Sequence, residues 1–247
     1  MAQGQPWFER YFGLDYLRIY RLADTPAQLG LLRRLLGDRP AGTRLLDLPC
    51  GHGRHAVEVA SWGLEVTGLD LTADFLAVAG AAAAAQGVRL RLVRGDMRWM
   101  PFADGAFDVA ICMFTSLGYF DQMAENQVVL DEFGRVVRSG GQLLLDLANI
   151  EYVRHQPESG YWEKDGTRVA TQYLWHEATQ RAETRRQVTF ADGREETYES
   201  SVRLFEPGEI EAMLKRAGWQ ITARWGTYNE DPVAAANPRR ILLCERH

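Results

Sequence analysis

Cysteine is scarce: Cys50, Cys112 and Cys244 are the only three, they lie far apart, and each sits in an apolar run. Their spacing forms neither a disulfide framework nor a zinc-ligand pattern, so reduced core residues in a cytoplasmic protein are expected. Long hydrophobic runs are missing too. No stretch approaches the roughly 20 apolar residues of a membrane span. The opening MAQGQPWFERYF lacks the apolar core of a signal peptide. Nor is there a basic excess: 28 Lys and Arg stand against 33 Asp and Glu, a formal net charge of −5, which disfavours a nucleic-acid surface. What is present is a chain of 247 residues and 46% hydrophobic composition, enough to bury a substantial core.

Short apolar segments at 44–48, 64–69, 88–93, 107–113 and 142–147 alternate with helical patterns, which predicts a parallel sheet in a doubly wound α/β core. Thr72 is placed as N-cap of DFLAVAGAAAAAQ and Gly87 as its stop, while Gly140 and Gly141 are read as closing DQMAENQVVLDEFGRVVRS. The alanine run 81–85 needs no role beyond helix propensity. From about 150 to 205 the pattern changes to polar-apolar strands, VATQYLWHEA, ETRRQVTF and ETYESSVRLF, the last two joined by Asp192 and Gly193. Pro207 then opens the helix GEIEAMLKRA, Gly218 ends it, and strands near 219–225 and 240–245 complete a mostly parallel, seven-stranded sheet. The expectation is one domain over 1–247, with an N-terminal helical and aromatic lid at 1–40 and an antiparallel β insertion at 150–205 forming a cap.

Gly51, Gly53 and Ala56 satisfy a loose G-x-G-x-x-G/A turn after the first strand, and Asp70 ends the next strand, where a carboxylate can bind ribose hydroxyls. By themselves these residues fit an NAD(P)-dependent oxidoreductase equally well. Asp47 precedes the glycines, however, and the string Asp47-Leu-Pro49-Cys-Gly51-His-Gly53-Arg resembles the D/E-x-G-x-G-x-G turn of class I S-adenosylmethionine-dependent methyltransferases. Gly95-Asp96-Met97 and the pair Phe107-Asp108 with Phe114-Thr-Ser-Leu-Gly-Tyr119-Phe resemble that family's later motifs, in the same order. The resemblance covers roughly 40–150 well and the final helix and strands more weakly.

The resemblance implies a Rossmann-like fold, S-adenosylmethionine as cofactor and S-adenosylhomocysteine as product. It implies cofactor-binding roles for Asp47, Gly51, Gly53, Asp70, Leu71, Asp96, Met97 and Phe114, with the Asp96 acid accepting from the adenine amino group. Pro49 departs from the pattern, because it has no N–H and a fixed φ; it must end the strand while the two later glycines provide close backbone approach. Asp108 is read as structural.

Methyl transfer to a nitrogen or oxygen of a small acceptor needs geometry and water exclusion more than a dedicated acid or base. The leader contributes Tyr11, Tyr16 and Tyr20, and the insertion Trp162, Tyr173, Trp175 and His176. Strand alternation in QYLWHEA lets one pair face a pocket, and Tyr173 with Trp175 is preferred; Tyr119, after the fourth strand, is the further substrate contact. His176 is read as a surface histidine, and His52 and His55 as loop or helix-surface residues. No metal ligands or catalytic residue are assigned. A non-catalytic cofactor-binding protein stays open beside the two enzyme readings.

Overall fold

The computed structural model describes residues 5–20 and 23–247, so residues 1–4 and 21–22 of the expected lid lie outside the described residues. Three helices come first: α1 (Trp7–Tyr11), α2 (Tyr16–Ile19) and α3 (Thr25–Leu36). Strands and helices then alternate as β1 (Arg44–Asp47), α4 (Ala56–Ser61), β2 (Glu65–Asp70), α5 (Ala73–Gln86), β3 (Leu90–Arg94), β4 (Phe107–Cys112), α6 (Met123–Val136) and β5 (Val137–Ala148). After α7 (Ile150–Val153) come β6 (Ser159–Lys164), β7 (Thr167–His176), β8 (Arg181–Thr189) and β9 (Glu195–Arg203). The chain finishes with α8 (Pro207–Arg216), β10 (Trp219–Trp225) and β11 (Arg239–Arg246).

Seven strands form one sheet in the order β10-β11-β5-β4-β1-β2-β3, in which β11 runs antiparallel to both of its neighbours. The central register aligns Leu45 of β1 with Val66 of β2 and Val109 of β4, which explains why these strands read as near-continuous apolar runs: both faces are covered. On one face Leu130 and Phe133 of α6 and Ile210 and Leu214 of α8 pack against Leu46, Ala110 and Leu143. On the other, Leu31 and Leu32 of α3 and Ala56 and Val59 of α4 pack against Leu45, Val109 and Ile241. Cys50, Cys112 and Cys244 are buried and free. No helix among the described residues is long and apolar enough to cross a membrane.

The helix after β4 ends earlier than its glycines suggested. α6 stops at Val136, and Val137 is already extended and paired with Phe107; Gly140 (φ +68°) and Gly141 instead form an irregularity between that pairing and Val109↔Gln142. The physical reason is that a second β-branched residue at 137 joins the sheet rather than continuing the helix. Thr72 does occupy the N-cap position of α5, yet its side chain makes no cap bond; the Asp70 carboxylate accepts from the Thr72 N–H instead, at 2.8 Å.

The insertion is a second, four-stranded antiparallel sheet, β6-β7-β8-β9, one strand more than the sequence patterns suggested. Asp165 and Gly166, both at positive φ, make the turn from β6 to β7; this Asp-Gly pair is a hairpin signal in a stretch of weak alternation. The cap sheet meets the core at Gly118. The Arg203 N–H of β9 donates to the Gly118 carbonyl at 2.8 Å, and Gly118 (φ +105°) has no room for a side chain, because a Cβ there would collide with the Arg203 carbonyl oxygen.

Gly53 has a packing role of the same kind. Its φ is +82°, and a Cβ would stand 2.7 Å from the Ala79 Cβ of α5. Gly53→Ala is therefore expected to destabilise the protein by about 2 kcal/mol or more, through left-handed strain and overpacking together. Denaturant unfolding of the variant checks this, and an unchanged midpoint would show that α5 yields at no cost.

Candidate active site

A cavity opens at the carboxyl ends of β1, β2, β3 and β4, where an open α/β sheet places its ligand. The Leu48–Pro49 peptide, which is cis, leads from β1 into the glycine turn. Gly51 (φ +55°) donates its N–H to Asp70 Oδ2 at 2.7 Å, and Asp70 Oδ1 takes the Thr72 N–H, so this buried carboxylate ties the end of β2 to the turn. Burial pushes its pKa up, against the pull of those N–H groups. Gly51, Asp70, Leu71, Asp96, Met97 and Phe114 border the cavity. Asp96 does so with its carboxylate already gripped by Arg98, whose Nη2 lies 2.6 Å from Oδ2.

Two residues expected at the cofactor do not border the cavity. Gly53 is buried against α5, as described above, and acts by letting that helix approach. Asp47, next to the cavity-lining Leu48, is 1% exposed. Among the described residues neither of its oxygens has a hydrogen-bond partner. Burial raises its pKa to about 8, with the Asp70 charge adding to the rise and Arg54 opposing it. Asp108 stands at the far end of β4, where hydrogen bonds from Arg44 and Arg138 outweigh desolvation and hold its carboxyl below the usual range.

Beside the first cavity lies a second, between the leader, the cap and the end of β4. Four aromatic residues, Phe12, Tyr16, Phe114 and Tyr119, border both. Phe114 and Thr115 hold positive φ values of 63° and 61°, strain that the Phe114 N–H offsets by donating to Asp146 Oδ2 at 2.9 Å and the Thr115 N–H by donating to the Asp146 carbonyl at 2.8 Å. The Tyr119 ring is packed 5.0 Å from Trp7 and 5.6 Å from Phe12. Tyr11, Tyr16 and Tyr20 of the leader all border the second cavity.

Tyr173 and Trp175 do not. They pair with Thr184 and Ala182 of β8, which do border the second cavity, and directly paired residues share a face of the sheet. But β7 lies one strand further out than β8. Tyr173 is 40% exposed, and Trp175 donates to Glu177 and packs beneath the Arg154 guanidinium. His176 points to the opposite face of the sheet and meets Glu183 at 2.9 Å.

A buried polar chain joins the two cavities, and its members come from well-separated segments that carry no local motif. His55 donates to Gln28 Oε1 at 2.8 Å, Gln28 Nε2 donates to the Tyr228 hydroxyl at 3.0 Å, and that hydroxyl donates to Asp146 Oδ2 at 2.9 Å. Arg239 Nε closes the chain on Asp146 Oδ1 at 2.7 Å, and Arg54 also donates to Gln28. His55 is thus core rather than helix surface, and burial pushes its imidazole well below the ordinary value. Arg54 borders the first cavity with no carboxylate in ion-pair contact among the described residues. Sequence reading passed over it because an arginine after a glycine turn is commonly a solvated helix start.

The fold is Rossmann-like, with a cavity at the carboxyl ends of its central parallel strands. A model of the methyltransferase domain matches residues 45–141. A putative methyltransferase of Bacillus subtilis is 27% identical over 217 residues, 84% of this chain and 85% of the relative. Among solved structures, the CcbJ methyltransferase of Streptomyces caelestis superposes with a TM-score of 0.83 at 17% identity, covering 96% of each chain. An amino pentose methyltransferase of Micromonospora echinaspora, solved with S-adenosylmethionine bound, gives 0.68 at 23% identity over 96% of this chain and 98% of that one. Residues 45–141 thus form a methyltransferase domain, and the chain as a whole has the fold of S-adenosylmethionine-dependent methyltransferases.

Proposed function

We propose that this enzyme methylates a nitrogen or oxygen of a small molecule held in the second cavity, across the wall of Phe12, Tyr16, Phe114 and Tyr119 that both cavities share. That shared aromatic wall carries the reading. When bound, S-adenosylmethionine supplies an electrophilic methyl group on a sulfonium. The residues around the first cavity fit its parts. Asp70 keeps lone pairs for ribose hydroxyls, Asp96 and Met97 offer an acid and an N–H to the adenine edge, and Arg54 offers a cation to the methionine carboxylate. Asp47, next to the cavity-lining Leu48, counters the methionine ammonium through space, shedding the proton that burial holds on it in the free protein. Gly51 and Leu71 add backbone surface, and Gly53 sets the turn by packing.

The second cavity orients the acceptor and excludes water; its aromatic faces suit a passing positive charge. Burial pushes the Tyr11 phenol up to about 12 and raises those of Tyr16 and Tyr119, so at neutral pH these hydroxyls donate and accept hydrogen bonds and do not act as bases. The leader and the 150–205 insertion are the lid and cap of a single domain. A cytoplasmic location accords with three free thiols. The likeness to an amino pentose methyltransferase supports a small polar acceptor.

The test blocks the second cavity while leaving the first alone. Ala182 of β8 borders only the second, so Ala182→Trp is expected to abolish S-adenosylhomocysteine release with amine and hydroxyl acceptors, while S-adenosylhomocysteine affinity by calorimetry stays within about twofold. Unimpaired turnover would place the acceptor elsewhere, and titration by NAD or NADP in place of S-adenosylhomocysteine would overturn the cofactor assignment.

A further inference from the structure

The charge balance of the second cavity is uneven, and the imbalance bears on the acceptor. Among the described residues its lining holds two charged side chains, Arg186 and Arg239, and no carboxylate. Arg239 is matched by Asp146, at 2.6 Å. Arg186 is not matched. It lies midway along β8, is 9% exposed, and donates from Nη1 to the Tyr11 hydroxyl and to Thr184 Oγ1. Its guanidinium rests over the rings of Tyr11 and Tyr20, at 5.7 Å and 5.2 Å. No carboxylate lies within 4.0 Å of it among the described residues, whereas Arg181, Arg185, Arg194 and Arg203 of the same sheet region each have one.

A buried guanidinium without a counter-ion is costly, and aromatic faces offset only part of that cost. Cap packing alone would be served by a neutral side chain at this position. Both bonds that Arg186 makes use Nη1, which leaves Nε and Nη2 without partners among the described residues. Those two nitrogens carry parallel N–H groups on one edge of the guanidinium, the fork that matches both oxygens of a carboxylate.

Resting on the reading of this cavity as the acceptor pocket, we propose that the methyl acceptor carries a carboxylate, held by the Nε–Nη2 edge of Arg186. The apolar walls at Trp7, Val202 and Leu204 take the body of the molecule, and its nucleophilic atom lies toward the shared aromatic wall. An acceptor whose only charge is an ammonium is disfavoured by the same guanidinium.

The test uses the full chain saturated with S-adenosylhomocysteine and titrated with benzoate, benzamide and phenyl phosphate. Benzoate is expected to bind about tenfold or more tightly than the equally sized neutral amide, through a charge-assisted bidentate contact. Arg186→Gln should bring the two within about threefold while S-adenosylhomocysteine affinity changes less than about twofold, and Arg186→Lys should retain part of the preference, since the charge remains but the fork is lost. The wild-type comparison stands even if a variant fails to fold. Equal binding of benzoate and benzamide, binding of neither, tighter binding of phenyl phosphate, or a preference that survives Arg186→Gln would each overturn the carboxylate assignment alone. A wild-type protein that binds no S-adenosylhomocysteine would instead overturn the cofactor reading beneath it.

Discussion

Replacing Asp47 by Asn is expected to raise the stability of the ligand-free protein at pH 8 and to weaken S-adenosylhomocysteine binding at the same time. The Asp47 carboxyl is buried and has no hydrogen-bond partner among the described residues, and burial pushes its pKa up to about 8 from an ordinary value of 3.8. The folded state therefore holds a proton that the unfolded chain has lost over that range, and stability falls as pH rises from about 4 to about 8. Above the folded value the full cost of the buried charge is present, on the order of several kcal/mol. Asn removes the titration, so the variant's stability profile should be flatter across this window. The Asp70 carboxyl, also raised by burial, keeps its own downward slope in both proteins. Urea unfolding at intervals between pH 4 and 9 measures the difference, and parallel profiles for the two proteins would show that Asp47 is not the group responsible. The loss of binding, about tenfold, follows from removing the charge opposite the methionine ammonium.

Asp70→Ala should harm both cofactor affinity and the fold. Sequence reading alone anticipates only a lost ribose contact, in a protein otherwise intact. In the structure the same carboxylate accepts the Gly51 and Thr72 N–H groups, so its removal leaves two backbone donors at the site without their acceptor. Each such donor costs about 1–3 kcal/mol where it is shielded from water, and the charged ribose contact is worth a comparable amount. The expected result is a stability loss of about 2 kcal/mol or more, together with an affinity loss well beyond tenfold. Asp70→Asn, with one acceptor oxygen left, should fall between. Calorimetry and thermal melting on the same samples separate the two effects; normal melting with weakened binding would mean that the turn holds its shape without Asp70.

What the sequence determined by itself was the part encoded by contiguous residues. Apolar runs covered on both faces located β1, β2, β4 and β5, and Gly87 at φ +66° ended α5 where the chain said it would. Motif order along 47–97 pointed to the class of cofactor, because each strand of a parallel sheet delivers the residue after its carboxyl end to the same edge. Alternation grouped Tyr173 with Trp175 on the face of β7 that their β8 partners Thr184 and Ala182 share. Tertiary structure alone decided how far each strand stands from the cavity, and so that Ala182, Thr184 and Arg186 of β8 border it while Tyr173 and Trp175 of β7 do not. It also decided which glycine borders the cavity and which packs against a helix, separating Gly51 from Gly53. The chain from His55 through Gln28, Tyr228 and Asp146 to Arg239 was invisible beforehand. Its members meet only once the sheet order is formed, and a hydrogen bond between residues 200 positions apart leaves no spacing for a sequence to show.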